Sequence, residues 1–190
     1  YRDLNGDGVI DDYDKMPIGF CDIPEITYGF GGAIEWKGFD VSIFFQGTAR
    51  VSLFEEGSTI VPFSSGYKNN DGFLRGVMEN RWTVDNPDPN ARYPRTIRPS
   101  DALDNNNTKK SSFWVRNAAF LRLKNAEIGY TFPKRWMEKM AIQNLRLYVS
   151  GVNLLTWAPD VHLFDPDLGS GDGRKYPPTR VFNVGLNINF

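Results

Sequence analysis

The chain has 190 residues, 22 basic against 23 acidic side chains and a formal net charge of −1, so nothing draws it generally to nucleic acid or anionic surfaces. Its one cysteine, Cys21, excludes an intrachain disulfide and a cysteine metal cluster. The longest purely hydrophobic run, Ala118 to Leu121, is far shorter than the ~20 residues of a transmembrane helix. It leaves open a barrel strand, which is apolar only at alternate positions.

The chain opens on an acidic, Gly-rich motif. Asp3, Asn5, Asp7, Asp11 and Asp14 fall at oxygen-donor positions of the twelve-residue calcium loop, with Gly8 at the sharp turn and the Val9 carbonyl between. A hard divalent cation would remove the repulsion among these carboxylates, so bound Ca²⁺ is expected. Asp14 stands where a sensor loop has Glu, and Pro17 precludes a long exiting helix, which favours a structural site over a switch. The plain alternative is an Asp/Gly-rich turn without metal.

Five strands are expected. Residues 27–36 place Tyr28, Phe30, Ile34 and Trp36 on one face, and 39–49 place Phe39, Val41, Ile43 and Phe45 likewise, with Phe44 intruding on the polar face. Lys37-Gly38 between them fits a two-residue hairpin turn. In the third strand, 120–132, Leu121 and Leu123 share one phase and Ile128, Tyr130 and Phe132 the other. A bulge near Asn125 reconciles them. The fourth is 144–153, with Leu145, Leu147 and Val149 alternating against Arg146, Tyr148 and Ser150. The fifth, 180–190, alternates without a break through Phe182, Val184, Leu186, Ile188 and Phe190. Eleven residues at about 3.3 Å, tilted about 40°, rise about 27 Å, close to the ~25 Å apolar band of an outer-membrane barrel.

Short and long connections alternate. Two residues join the first pair of strands and about a dozen join the third to the fourth, whereas 50–119 and 154–179 are long. This is the pattern of a barrel with tight periplasmic turns and long extracellular loops. The expected fold is therefore all-β: about five strands of an antiparallel transmembrane β-barrel. Residues 1–26 form an extracellular loop with the calcium-type motif, and 27–190 form the strands with loops 50–119 and 154–179. Within the large loop, 72–83 has the spacing of a short amphipathic helix. Residues 85–100, with four prolines, suit an extended crossing, 101–110 suit a mobile stretch, and 133–140 suit one helical turn after Pro133.

Trp82, Tyr93, Trp114 and Trp157 lie in or beside the loops. The first three are candidate substrate-binding residues that would stack on sugar faces; the alternative is that they plug the loops or sit at the lipid interface. Asp165 to Gly173 matches no ligand loop, and His162 is the only histidine. No nucleophile elbow, phosphate-binding loop or zinc-binding His pair occurs, and no spacing singles out a glycosidase carboxylate pair, so no enzyme activity is expected. Asn106 and Thr108 meet a glycosylation sequon, a pattern short enough to arise by chance.

An ordered series of motifs spans essentially the whole chain. It runs from the Asp-rich loop through Ile18-Gly19 and Pro24 to Tyr28-Gly29-Phe30, then Phe44-Phe45-Gln46-Gly47 and Phe120-Leu121-Arg122-Leu123-Lys124-Asn125. It continues with Ile128-Gly129-Tyr130-Thr131-Phe132-Pro133, the Gly151 to Trp157 stretch, Asp165-Pro166, and Tyr176-Pro177 with Arg180 before the final strand. The series resembles the C-terminal part of SusC/RagA-like TonB-dependent outer-membrane transporters. The resemblance implies a barrel of roughly 22 strands closed around a plug. Five strands cannot close it, so this chain is expected to be a piece completed by the rest of the barrel and plug. It further implies the outer membrane of a Gram-negative bacterium, extracellular loops and a periplasmic C-terminus. The implied partners are the TonB complex, through a segment outside this chain, and a SusD-like surface lipoprotein; the implied substrate is a glycan or peptide. A secreted soluble β-sandwich binding module with a dockerin-like calcium loop is the competing reading.

Overall fold

The computed structural model describes residues 1–57, 60, 74–96, 109–137, 142–171 and 173–190. Its elements are β1 (Ile26–Trp36), β2 (Phe39–Ala49), β3 (Ser52–Phe54), α1 (Arg75–Glu79), β4 (Val115–Asn117), β5 (Phe120–Thr131), α2 (Lys134–Met137), β6 (Asn144–Trp157) and β7 (Val181–Asn189). Five strands make one antiparallel sheet in the order β1-β2-β5-β6-β7, and β3 pairs with β4 in a separate two-stranded ladder. Among the described residues no helix is long and apolar enough to cross a membrane. The chain divides into two compact units. The sheet unit comprises 24–51, 118–160 and 176–190; the loop unit comprises 1–23, 52–117 and 161–175.

In the sheet unit the alternating residues form the expected strands, and the turns explain their pairing. Lys37 and Gly38 both have positive φ, 48° and 90°, the two-residue turn whose twist matches that of the strands it joins. The expected bulge lies one residue from its predicted place. Phe45 pairs with Leu123 and Phe44 with Asn125, leaving Lys124 as the extra residue in β5. Across the other edge, Leu123 pairs with Leu155 and Asn125 with Val152, so Asn153 and Leu154 face the same irregularity. Asn153 takes the left-handed φ of 54°, and its amide nitrogen donates to the Thr179 carbonyl at 3.0 Å.

That bulge corrects the expected end of the fourth strand. Residues 154–157 belong to β6 and not to the following loop, because pairing resumes beyond the bulge as Leu123↔Leu155 and Leu121↔Trp157.

The described residues of the loop unit carry structure of their own. The three-residue ladder of β3 and β4 ties its two ends together. The helix expected over 72–83 is reduced to α1, of which Val77 is buried; residues 72 and 73 lie outside the described residues. Residues 101–108 of the expected mobile stretch, 97–100 of the proline-rich crossing and 138–140 of the expected helical turn also lie outside them. Pro133 stands just before α2, as expected.

Candidate functional site: a two-faced sheet and a folded loop

Strand register decides which side chains share a face. One face carries successive cross-strand rows: Trp36-Phe39-Tyr130-Leu147-Leu186, then Ile34-Val41-Ile128-Val149-Val184, then Gly32-Ile43-Ala126-Gly151-Phe182. Beyond the bulge the same face continues as Phe30-Phe45-Leu123-Leu155 and Tyr28-Gly47-Leu121-Trp157. No charged residue occurs in these rows. Yet the face is open: Ile34 and Val184 are each 75% exposed and Phe182 68%. A β-sandwich would bury such a face under a second sheet. Among the described residues no such sheet exists.

Aromatic residues mark both ends of this face, Tyr28 and Trp157 at one and Trp36, Phe39 and Tyr130 at the other. Tyr28 and Trp36 lie eight residues apart, about 26 Å along the strand and about 20 Å along the normal at a 40° tilt. Aromatic rows at both ends of an apolar stretch are the arrangement of two interfacial girdles, here somewhat closer than the ~25 Å band of an outer-membrane barrel.

The opposite face is polar, with rows such as Ala33-Ser42-Glu127-Ser150-Asn183 and Thr131-Arg146-Asn187. Its charges are organised around Arg146. The Nε of Arg146 donates to Asp40 Oδ2 at 3.0 Å, Nη2 donates to Glu127 Oε1 at 2.6 Å, and a further bond runs from Nη2 to Asp40 Oδ1. The guanidinium also lies over the Tyr148 ring, 5.0 Å from its centroid. The cluster joins β2, β5 and β6, and Gly129 makes room for it. A Cβ on Gly129 would stand 2.6 Å from both Arg146 Nη2 and Asp40 Oδ2.

Rings from neighbouring strands cover glycines of the two outer strands. Phe44, the expected intruder, packs over Gly29 and Gly31 of β1, and Tyr148 packs over Gly185 of β7. Its place on the polar face is thus filled by contact with bare backbone. Arg122 of this face is nearly fully buried, its Nε donating to Thr156 Oγ1 at 3.0 Å.

In the loop unit, Ile60, Val77, Tyr93 and Trp114 form a buried cluster against which Phe54, Leu74, Leu163 and Phe164 pack. Beside it the wholly buried Glu55 carboxylate receives Arg116 Nε at 2.9 Å and Arg92 Nη2 at 3.4 Å. Arg116 further donates to the carbonyls of Phe113 at 2.6 Å and Val115 at 3.2 Å. Burial, and then the Glu55 charge, push the Tyr93 phenol above its ordinary value. Of the three candidate stacking residues, Tyr93 and Trp114 are thus core residues, with 2% and 3% exposure, and only Trp82 is half-buried. Their rings hold the loop together; in this arrangement they present no face to a sugar.

The Asp-rich segment is arranged by its own side chains. Asp3 accepts from the backbone N–H groups of Gly6 at 2.6 Å and Gly8 at 2.8 Å. Asp14 accepts from Leu4 at 2.7 Å and Asp11 at 2.9 Å, and these bonds hold its carboxyl below the usual range. Asn5 and Asp7 each accept from the N–H two residues on, at 2.9 and 2.8 Å. Gly6 and Gly8 take φ of 79° and 82°, and Asp11 to Asp14 close a capping box around a 3-10 turn. These bonds give the segment a hydrogen-bonded backbone frame, with Asp3 holding Gly6 and Gly8 and Asp14 holding Leu4 and Asp11. Among the described residues no three acidic, His or Cys side chains converge as a ready ligand group. Closing a shell from Asp3, Asn5, Asp7, Val9, Asp11 and Asp14 requires side-chain rotation within that frame.

No protein-family model matches the chain. Over its full length it is 30% identical to TonB-dependent receptor P26 of Formosa agariphila. It is likewise 26% identical to TonB-dependent receptor SusC of Bacteroides thetaiotaomicron. It spans 19% and 17% of their lengths, less than a fifth of each. Among solved structures, that of the RagAB peptide transporter covers 91% of this chain with a TM-score of 0.64 at 24% identity; 18% of that chain is matched. The RagAB peptide importer in the closed-closed state gives the same coverage, with a TM-score of 0.65 at 23% identity. These structures share the fold, and the sequence relatives share the family. A sheet with one lipid-suited face, one polar face and a folded loop unit, matched along its whole length to these receptors, belongs to the SusC/RagA-like TonB-dependent outer-membrane transporters, of whose β-barrel it forms five strands.

Proposed function

We propose that the chain is the C-terminal barrel section of an importer that takes up glycans or peptides with energy from TonB, beneath a SusD-like surface lipoprotein. The observation that carries this reading is the apolar face, continuous over five strands and open along its length, backed by a polar face that suits a water-filled lumen. Of the named relatives, SusC is a TonB-dependent receptor and RagAB a peptide transporter, which supports the peptide class; the glycan class rests on the sequence resemblance alone. Import needs binding and passage, not covalent chemistry, which agrees with a chain poor in nucleophiles and bases.

In this reading the loop unit lies outside the cell, the Lys37-Gly38 turn and the C-terminus lie in the periplasm, and the lipoprotein or substrate meets the loop unit. Trp82 is the remaining aromatic candidate for that contact. Asp3, Asn5, Asp7, Asp11 and Asp14, with the Val9 carbonyl, would hold Ca²⁺; the ion would neutralise their mutual repulsion and stiffen the segment.

The test is to tag the full transporter, purify it from outer membranes and identify what copurifies. Capture of a surface lipoprotein is expected, lost when residues 52–117 are replaced by a short linker while the barrel still assembles. Capture that survives the replacement would remove the loop unit from the interface. Growth on glycan and peptide panels, compared with a deletion strain, separates the two substrate classes.

A further inference from the structure

We infer that the strand ends around the Lys37-Gly38 turn form a collar that binds the phosphate headgroups of anionic glycerophospholipids. The inference rests on reading the sheet as a barrel wall. It adds a lipid preference that the reading alone does not contain.

Four rings make a continuous track at this end. Phe39 and Tyr130 lie 4.6 Å apart, Tyr130 and Phe132 5.0 Å, and Phe132 and Trp136 6.0 Å between centroids. The track links the hairpin turn to α2, because Thr131 N–H donates to the Gly38 carbonyl at 2.7 Å just before Pro133 begins the turn into α2. Cations stand at both ends of it: Lys37 on the hairpin, Lys134 and Arg135 on α2, all three exposed. Lys37 Nζ rests 4.7 Å from the Trp36 ring centroid, with Trp36 itself 65% exposed. Among the described residues none of the three cations is in an ion pair. The nearby acids Glu35 and Asp40 share a register row on the opposite face, and Asp40 is engaged by Arg146.

At the Tyr28–Trp157 end Arg50 is paired with Glu25 at 2.7 Å, and the exposed Arg180 precedes β7. At the Trp36–Trp136 end a track of aromatic rings lies beside three exposed cations that have no ion pair among the described residues. Aromatic rings alone suit any headgroup; the cations favour a negative one, each by roughly fivefold. The occupant this chemistry fits is a lipid with an apolar body against the rings and a phosphate among the cations.

The full transporter, purified in detergent, is titrated with short-chain phosphatidylglycerol and, separately, phosphatidylcholine. Bound lipid is counted by native mass spectrometry. At least about tenfold tighter binding of phosphatidylglycerol is expected. That preference should vanish in the combined variant Lys37→Gln, Lys134→Gln, Arg135→Gln. Free glycerophosphate should fail to compete, which distinguishes a lipid site from a phosphate site. The heat-sensitive gel mobility of a closed barrel checks that both proteins are assembled. Equal binding of the two lipids by an assembled wild-type barrel, or an unchanged preference in the variant, overturns the collar and leaves the barrel reading intact. A wild-type protein that stays soluble without detergent overturns both.

Discussion

The two units of this chain obey opposite burial rules. In the sheet unit a whole face of large apolar residues is open, Ile34, Phe182 and Val184 among them. In the loop unit Leu53, Ile60 and Val77 are almost wholly enclosed. Charges are inverted as well. The sheet holds its ion cluster on the polar face, partly open, while the loop unit encloses Glu55 completely. The same composition can serve both because exposure is measured against water. The sheet meets hydrocarbon, whereas the loop unit must build its own apolar interior as any water-soluble domain does.

That contrast can be broken most severely at Glu55. Glu55→Ala strands the Arg116 guanidinium in the core and should cost the loop unit about 3–5 kcal/mol. Hydrogen exchange over 74–96 and 109–117 should rise sharply, with the strands of the sheet unchanged. Next is Ile43→Lys, in the middle row of the outward face, which should cost about 2–4 kcal/mol of barrel stability in bilayers. The neighbouring Ser42→Lys, on the polar face, should be nearly neutral by the same urea titration. Equal effects of the two would contradict the assignment of faces.

A smaller loss is expected from Gly129→Val, roughly 1–3 kcal/mol, since the new side chain occupies the space where Arg146 meets Asp40. Replacing Arg146 by Met as well should recover part of that loss. Asp3→Ala with Asp7→Ala should abolish Ca²⁺ binding by calorimetry and loosen residues 1–14, leaving the rest of the protein unaltered; undiminished calcium uptake would rule the loop out as a cation site.

The mildest effect is on pH. Asp14 has its carboxyl lowered by the Leu4 and Asp11 N–H groups, so its ordering contribution is complete above the ordinary aspartate range. It should be lost only as pH falls through the lower folded-state value. Amide resonances of Leu4 and Asp11 followed during acid titration would detect this, and disorder beginning above the ordinary range would refute it.

The sheet was legible in the sequence because alternation is a strong signal wherever one face touches lipid. Even the bulge could be located, since the phase change between Leu123 and Ile128 has no other economical explanation. Its consequence for β6 was not legible: Leu154 to Trp157 look like a loop start until the register with β5 is known. The β3–β4 ladder escaped notice because three residues carry no period. Tyr93 and Trp114 were ambiguous for a physical reason, as a ring in a long loop suits a ligand surface and a private core equally well. The Arg146 cluster lay in plain view as opposite charges on the polar phases of three strands. Only pairing could bring Asp40, Glu127 and Arg146 together, and the signal that marked the spot was Gly129 in the midst of a strand.

One residue in β5 constrains the whole wall. The stretch before Lys124 and the stretch after it are in opposite phase, and each has its own greasy side. Sliding the strand by one position past either neighbour would turn an arginine or a glutamate toward the acyl chains whichever half was favoured. Lys124 thus works as a pin against one-residue slips at this seam, because both halves of the strand would then present a charge to hydrocarbon.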